Sequence, residues 1–296
     1  MVVAATGFFD GVHAGHRAVM QKVKDLAREK GAESAIVTFW PHPRTILQQD
    51  ASDFRLLNTL DEKKRIVSEF GIDHFIVLPF TREFSRMDTV SFLKDCLKER
   101  LGISMLVVGY DHRLGRNSPE DPEEMVRLAE SVGIDAVSVS ELRLDSKKIS
   151  STQIRMLLSE GNVEGAAAML GYNYSLHGAV VSGDRIGKAV VGFPTANMQL
   201  YEPLKAIPAN GVYLVKVFVL GGEYMGICNV GTRPTIGPYN ARTIETNILD
   251  FDENIYGLEI RIDFIRRIRA EMKFSSVDEL RSQIMKDKES ALMYCK

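Results

Sequence analysis

The sequence contains few cysteines and no segment that would direct it to a membrane. Its three cysteines, Cys96, Cys228 and Cys295, are far apart and form no CxxC pair. This argues against a disulfide framework or a zinc site and fits the reducing cytoplasm. No run approaches the roughly 18 apolar residues of a membrane span, and no basic region followed by an apolar region indicates a signal peptide. We therefore expect a cytoplasmic protein with no membrane partner.

An excess of charge of one sign is also missing. The formal net charge is −2, and the chain has no long basic block. A nucleic-acid partner is therefore not expected. With 296 residues, of which 45% are hydrophobic, the chain is long enough for two domains with well-buried cores.

The first half of the chain alternates short apolar runs with segments of helical periodicity. The predicted strands are residues 2–6, 34–39, 75–78, 105–108 and 136–139, and the predicted helices are residues 17–30, 60–70, 90–100 and 123–132. Continuous apolar runs are typical of strands that are covered by helices on both faces. The order predicts an α/β doubly wound parallel sheet, with ligands outside the carboxyl ends of its strands.

Beyond Gly171 the periodicity changes to that of strands. The predicted strands here are residues 211–220, 223–231, 243–251 and 258–268, and Gly221-Gly222 is typical of a two-residue hairpin loop. Residues 276–279 resemble a capping box, which opens a terminal helix with Val277, Leu280 and Ile284 on one face. We expect a small antiparallel barrel or sandwich with one helix against it. The predicted domains are residues 1–170 and 171–296.

The stretch from Gly7 to His16 reads GFFDGVHAGH and joins the first strand to the first helix. His13 and His16 are spaced to share one face at the helix start, where free N–H groups favour phosphate. Two imidazoles there can donate hydrogen bonds to oxygens that gain charge during phosphate-bond cleavage. The alternative is a surface turn with two hydrogen-bonded histidines. The glycines and the strand-to-helix context favour the phosphate site.

Three further segments could bind phosphate or metal. Ser150 or Ser151 is a natural N-cap of the helix that carries Arg155, although ordinary capping is the alternative. Thr195 and Asn197 are two apart on an extended stretch and offer hard oxygen ligands for Mg²⁺, although Pro-Thr-Ala-Asn alone indicates a turn. Between these segments, a glycine-rich stretch could wrap a phosphate chain through its backbone amides and one lysine. That stretch contains Gly183, Gly187, Lys188 and Gly192.

These motifs together resemble one family. The HxGH of residues 13–16 is similar to the ATP-binding signature of the nucleotidylyltransferase superfamily, and the longer stretch resembles the bacterial bifunctional riboflavin kinase/FMN adenylyltransferases. Residues 149–155 resemble the ISSTxIR motif of that family. Residues 194–197, 229–235 and 244–251 resemble its PTAN, NxGxRPT and ExHxxDF segments. The resemblance covers nearly the whole chain.

The resemblance implies a Rossmann-like nucleotidylyltransferase domain followed by a riboflavin kinase β-barrel with a C-terminal helix. It implies two reactions, which are phosphorylation of riboflavin to FMN and adenylylation of FMN to FAD, with ATP and Mg²⁺ in both. The implied catalytic residues are His13 and His16 in the first domain and the base Glu245 in the second. The implied ATP-binding residues are Gly7, Phe8, Asp10, Gly15, Ser151, Thr152, Arg155, Gly183, Gly187, Lys188 and Gly192. The implied flavin-binding residues are Asp111, Asn229 and Arg233, and the implied metal ligands are Thr195 and Asn197.

The sequence departs from the family pattern at a few positions. Asn247 stands where ExHxxDF has histidine, and His112 and Leu114 stand where relatives usually carry aromatic residues. Strand alternation places Glu245 and Asn247 on one face and Ile244, Thr246 and Ile248 on the other, which the two isoleucines mark as the core side. Two other functions remain open at this point, namely a nucleotidylyltransferase for another phosphate ester and a non-catalytic flavin-binding or regulatory protein.

Overall fold

The computed structural model describes residues 1–47, 54–110, 113, 115–144, 147–182, 194–232 and 242–294. Its contacts divide the chain into two compact units, Met1–Ser151 and Thr152–Lys296. None of the described helices is long and apolar enough to cross a membrane.

The first unit is a parallel α/β sheet with helices between its strands. Its elements are β1 (Val2–Thr6), α1 (Ala14–Lys30), β2 (Glu33–Trp40), α2 (Pro43–Leu47), α3 (Leu60–Glu69), β3 (His74–Pro79), a 3₁₀ turn (Phe84–Arg86), α4 (Thr89–Ser91) continuing as a π-helix (Phe92–Arg100), β4 (Ile103–Val108), α5 (Pro122–Ser131), β5 (Asp135–Ser138) and the short ribbon β6–β7 (Arg143–Leu144, Lys147–Lys148). The strand order is β3-β2-β1-β4-β5, and all pairs are parallel. The predicted doubly wound sheet is confirmed.

The order of these strands places the candidate phosphate loop at the centre of the sheet. The chain runs outward from β1 through β2 to β3 and then returns to the other side of β1 as β4. The strand order therefore reverses between β1 and β4, and ligands of open α/β sheets bind in the crevice at such a point. Residues 7–13 leave the carboxyl end of β1 and lie at this crevice.

The second unit is built around a closed antiparallel barrel. Its elements are α6 (Ser151–Ser159, which starts on the last residue of the first unit), α7 (Val163–Leu170), β8 (Ser175–Val181), β9 (Ala196–Leu200), β10 (Gly211–Val219), β11 (Gly222–Thr232), β12 (Arg242–Ile248), β13 (Glu259–Arg269) and α8 (Val277–Tyr294). The strands close in the order β10-β11-β12-β9-β8-β13. The structure thus selects the barrel from the two predicted arrangements.

Alternation along the barrel strands separates a buried inner face from an outer face. On β12, Ile244, Thr246 and Ile248 are buried, while Glu245 and Asn247 are only partly buried. The expectation that the apolar residues of this strand form the core side is confirmed. Register is fixed by this pattern, because a slip of one residue would move every apolar side chain out of the core.

The hairpin between β10 and β11 differs from the prediction by one residue. Val219 pairs with Gly222, so the loop residues are Leu220 and Gly221 rather than Gly221 and Gly222. Leu220 and Gly221 have φ values of 52° and 76°. A two-residue hairpin loop favours positive φ at both positions, and here Leu220 adopts the positive φ at the first position.

Helix α8 packs on the outer face of the barrel. Arg269 of β13 forms a two-pronged ion pair with Asp287, with 2.8 Å between Nη2 and Oδ2 and 3.0 Å between Nε and Oδ1. Ala291 packs in a small apolar cluster with Leu214 and Leu249. Ser276 caps the helix by accepting from the Glu279 N–H, as half of the predicted capping box. Of the predicted apolar face, Leu280 and Ile284 are half-buried and Val277 is exposed.

The end of α6 and the residue after it are hydrogen-bonded within the second unit. The N–H of Ala209 donates to the carbonyl of Leu158 at 2.8 Å, and Arg267 of β13 donates to the carbonyl of Glu160 at 2.9 Å. The contacts therefore divide the chain after Ser151, whereas the sequence analysis divides it at Gly171. That boundary between the functional domains stays a prediction.

Candidate active sites

The two histidines at the carboxyl end of β1 form a stacked pair. The centroids of the His13 and His16 rings are 3.6 Å apart, and the ring planes differ by 12°. His13 caps α1, because its Nδ1 accepts from the backbone N–H of His16 at 3.3 Å. A ring whose Nδ1 accepts a hydrogen bond carries its proton on Nε2 when it is neutral. The cap therefore leaves the Nε2–H of His13 as a donor.

The backbone that presents this pair is strained. Phe9 and Val12 have φ values of 47° and 35°, and Gly11 has 89°. Positive φ is a rare conformation for a bulky or β-branched residue, and such strain persists only where the surroundings hold it. Gly15 adds a close approach, since a Cβ there would lie 3.3 Å from the His13 ring. The loop is thus a shaped cradle rather than an ordinary surface turn.

His16 is held in its neutral form. Burial, the neighbouring His13 and the cation of Lys63 together lower its pKa well below the ordinary value of 6.5. Its Nδ1 is buried and has no hydrogen-bond partner within the described part of the chain. A neutral imidazole can donate a hydrogen bond to a phosphate oxygen without supplying a net charge of its own.

Lys63 lies beneath this loop and is not among the residues that the sequence motifs indicate. It is 3% exposed, and its Nζ donates to the carbonyl of Phe8 at 2.5 Å, with Thr38 Oγ1 at 3.5 Å. The signal was present in the sequence, because Lys63 falls on the same helical face as Ile66 and Val67. A lysine in the apolar stripe of an amphipathic helix is a candidate for a buried cation.

Asp10 and Ser151 are joined to the loop by hydrogen bonds. The buried carboxylate of Asp10 accepts from the N–H groups of Leu57 and Asn58 at 3.0 and 3.2 Å, which ties the loop to the start of α3. The hydroxyl of Ser151 donates to the carbonyl of Asp10 at 2.8 Å. Thr152 and Arg155 follow on α6 and belong by their contacts to the second unit.

Phe8 extends the site towards the end of β2. Its ring centroid lies 5.3 Å from that of His42, and His42 stacks on Phe54 at 4.5 Å. The backbone N–H of Gly7 donates to the carbonyl of Val37 at 3.0 Å. Neither His42 nor Phe54 was a candidate from the sequence, although Pro41 and Pro43 place this stretch at the carboxyl edge of the sheet. These rings offer an aromatic surface beside the histidine pair.

In the second unit, three candidate side chains form one row across neighbouring strands. Glu245 on β12 pairs with Asn229 on β11 and with Asn197 on β9. Residues directly opposite on antiparallel strands have Cβ atoms about 4.5–5.5 Å apart and point to the same face. All three are partly buried on the outer face of the barrel. A carboxylate between two amides is an arrangement that can bind a hydroxyl and a cation together.

The segment that leads into β9 is fixed against β12. Asn247 donates from Nδ2 to the carbonyl of Pro194 at 2.7 Å. Thr195 and Asn197 follow Pro194 and lie on one side of the extended segment by alternation. Thr195 and Asn197 carry hydroxyl and amide oxygens, the hard atoms that Mg²⁺ prefers. Among the residues that the structure describes, no cluster of three or more histidine, cysteine or acidic side chains could hold a metal.

Several predicted site residues fall outside the described ranges. These are Asp111, His112, Leu114, Gly183, Gly187, Lys188, Gly192 and Arg233. Their roles stay predictions.

Comparison with known proteins identifies the family of this chain. Residues 1–153 match the family model for FAD synthetase, and residues 170–295 match the model for riboflavin kinase. A bifunctional riboflavin kinase/FMN adenylyltransferase of Listeria monocytogenes is 36% identical over 97% of this chain and 90% of its own length. The chain belongs to this family. The Bacillus subtilis member is also 36% identical, over 99% of this chain and 92% of its own length, and the Escherichia coli K12 member is 34% identical, over 98% and 91%.

One solved structure matches both units of this chain. That crystal structure, of a protein from Streptococcus pneumoniae named as a macrolide-efflux protein, has a TM-score of 0.90 and is 28% identical. The match covers 98% of this chain and 93% of the other. The resemblance that the sequence motifs indicated is confirmed at the level of the family and of the fold.

Proposed function

We propose that the chain converts riboflavin to FAD in two ATP-dependent steps, one in each domain. The row of Asn197, Glu245 and Asn229 carries this proposal, because it sets a carboxylate between two amides on a barrel that matches riboflavin kinase. A nucleotidylyltransferase for another phosphate ester would have no use for such a row. The stacked histidines supply a separate set of hydrogen-bond donors for the second step.

In the first step, the 5′-hydroxyl oxygen of riboflavin attacks the γ-phosphorus of ATP, and ADP leaves. The carboxylate of Glu245 accepts the hydroxyl proton as the new O–P bond forms. Asn229, beside it on β11, orients the flavin chain, and Arg233 contacts the same substrate. Gly183, Gly187, Lys188 and Gly192 bind the phosphates of ATP. Positioning and charge stabilisation supply most of the catalysis in such a transfer.

The donor set of this site fits Mg²⁺. Thr195 and Asn197 would hold the ion through hydroxyl and amide oxygens, next to Glu245. When it is bound, the ion neutralises charge on the ATP phosphates. The hydrogen bond from Asn247 to Pro194 keeps these ligands in place against β12.

In the second step, a phosphate oxygen of FMN attacks the α-phosphorus of ATP, and pyrophosphate leaves. The nucleophile is already ionised, so this site needs no strong base. The rings of His13 and His16 donate to the phosphate oxygens where charge develops. Gly7, Phe8 and Gly15 shape the ATP cradle, Asp10 fixes it to α3, and Ser151, Thr152 and Arg155 bind the triphosphate. Asp111 contacts FMN. A cytoplasmic location also stays a proposal.

The test is to incubate the purified chain with ATP, Mg²⁺ and either riboflavin or FMN, and to separate the flavins. We expect riboflavin to yield FMN and then FAD, and FMN to yield FAD with one pyrophosphate per FAD. If the chain adenylylates other phosphate esters but not FMN, it is a nucleotidylyltransferase of another specificity. If the chain binds flavin and converts neither substrate, it is a binding protein.

A further inference from the structure

The ammonium group of Lys63 occupies an unusual position for a lysine. It lies on the buried face of α3, and its named partners, the carbonyl of Phe8 and the hydroxyl of Thr38, are both uncharged. Thr38, which is fully buried, donates to the same Phe8 carbonyl at 3.2 Å. Two donors from two different elements therefore converge on one main-chain oxygen of the histidine loop.

Burying this cation opposes folding. Burial lowers the pKa of Lys63 to about 8, and the negative charge of Asp10 offsets only part of the shift. A methionine of similar length would fill the same space without the desolvation cost. The charge is therefore retained at the expense of stability, as is common for groups that serve a functional site.

The loop that Lys63 contacts has a strained backbone and therefore needs contacts that hold its conformation. Phe8 directly precedes Phe9, and Val12 directly precedes His13; Phe9 and Val12 are the two non-glycine residues of the loop with positive φ. A loop in this conformation relaxes unless its neighbours hold it. Lys63 also acts on His16 directly, because its charge is one of the causes that keep that ring neutral.

We propose that Lys63 is a positioning residue of the adenylyl-transfer site, whose ammonium group fixes the carbonyl of Phe8 and, through it, the loop that presents His13 and His16. The assignment rests on the proposed conversion of FMN to FAD. Lys63 does not touch the reacting phosphates in this role. It sets the position of the donors that do, and a misplacement of about 1 Å in such donors can cost about 10²-fold in rate.

The experiment compares Lys63→Met with the matched control Lys64→Met. Lys64 is the next residue of α3 and is exposed, so its substitution removes the same charge from the helix without touching the loop. For each variant, the rates of FMN-to-FAD and riboflavin-to-FMN conversion are measured on the full chain. The melting of the first unit is followed by the fluorescence of Trp40, the single tryptophan of the chain.

We expect Lys63→Met to lower kcat for FAD formation by about 10²-fold, with a normal riboflavin kinase rate and a melting temperature equal to or above that of the wild type. Lys64→Met should match the wild type in all three. A purely structural lysine would give the opposite pattern, in which the melting temperature and the FAD rate fall together, and that result overturns the proposal. A normal FAD rate in Lys63→Met overturns it as well.

A second variant covers the case in which Lys63→Met does not fold. Thr38→Val keeps the shape of the side chain and removes the other donor to the Phe8 carbonyl. A folded Thr38→Val with reduced kcat for FAD formation supports the role of this carbonyl, and an unchanged kcat overturns it. Absence of FAD formation by the wild-type chain is a separate result, which contradicts the proposed function itself.

Discussion

The side-chain amide of Asn247 on β12 donates a hydrogen bond to the main-chain carbonyl of Pro194, with 2.7 Å between Nδ2 and O. Asn247 occupies the position at which the family pattern has histidine. A carboxamide, unlike an imidazole, neither gains nor loses a proton near neutral pH, so this side chain can act only through its hydrogen bonds and its position. It attaches the segment with Thr195 and Asn197 to the strand that carries Glu245.

We predict that Asn247→Ala lowers kcat/KM for ATP in the kinase reaction by about two- to tenfold, because one hydrogen bond of about 0.5–1.5 kcal/mol that orders the proposed metal ligands is lost. Asn247→His, which restores a donor and the family residue, should recover most of the rate. The exposed Gln199 on β9 provides the control, since Gln199→Ala should have no effect. Equal rates in Asn247→Ala and Gln199→Ala would show that the bond is not needed.

Glu245→Gln should lower kcat of riboflavin phosphorylation by about 10² to 10⁴-fold with little change in KM, because glutamine keeps the shape and cannot accept the proton. Conversion of supplied FMN to FAD should stay normal. Glu223→Gln, on an exposed strand position of the same barrel, is the control for an ordinary surface glutamate. If both variants retain the kinase rate, Glu245 is not the base.

His16→Ala should reduce FAD formation by about 10² to 10³-fold, as expected for the loss of one preorganised donor to a developing charge. Riboflavin phosphorylation by the same preparation serves as the internal control and should be unchanged. Paired assays of the two reactions give the result directly. Normal FAD formation in this variant would show that His16 is not a catalytic donor and has only a structural role.

The stability of the first unit should depend on pH through His16. The pKa of His16 is well below 6.5 in the folded state, so below about pH 6.5 the unfolded chain binds a proton that the folded chain does not. Stability is therefore fully present above this pH and falls as the pH drops, by at most about 1.4 kcal/mol per pH unit. Urea unfolding followed by Trp40 fluorescence at pH 7.5 and 5.5 measures the loss. It should be smaller in His16→Gln, and equal losses in both chains would contradict the assignment.

Asp287→Ala should destabilise the second unit by about 3–5 kcal/mol, because it leaves the guanidinium of Arg269 without its partner in a mostly buried pair. The variant should also expose α8 to trypsin at Lys286 and Lys288. Denaturant unfolding and a timed digest measure the two effects. Glu289→Gln, an exposed position on the same helix, should resist digestion like the wild type.

The sequence predicts those parts of the fold that local patterns determine. Continuous apolar runs predict the parallel strands of the first unit, and alternation of the kind seen around Ile244 predicts the buried face of the barrel. The strand-to-helix context predicts the position of His13 and His16. The hairpin loop is predicted one residue late, because two adjacent glycines indicate a turn more strongly than a leucine followed by a glycine.

The relationships that complete each site depend on tertiary contacts. Register across strands is not visible in any single strand, so the pairing of Glu245 with Asn197 and Asn229 could not be derived from the spacing of the motifs. Lys63 follows Glu62 and precedes Lys64, and a charged run of this kind suggests a solvent-exposed face. Its position on the helical face of Ile66 and Val67 indicates burial instead, and the packing of α3 beneath the loop decides between these two indications.

The row on the barrel also makes the kinase site a reporter of folding. Asn197, Asn229 and Glu245 come from three strands, two of which, β9 and β12, are far apart in the chain and pair directly in the barrel. Such distant pairings form late, because the intervening chain must first be ordered. During refolding, the helical signal should return before phosphoryl transfer does. If the proposed kinase site is correct, kinase activity cannot recover before β9 pairs with β12.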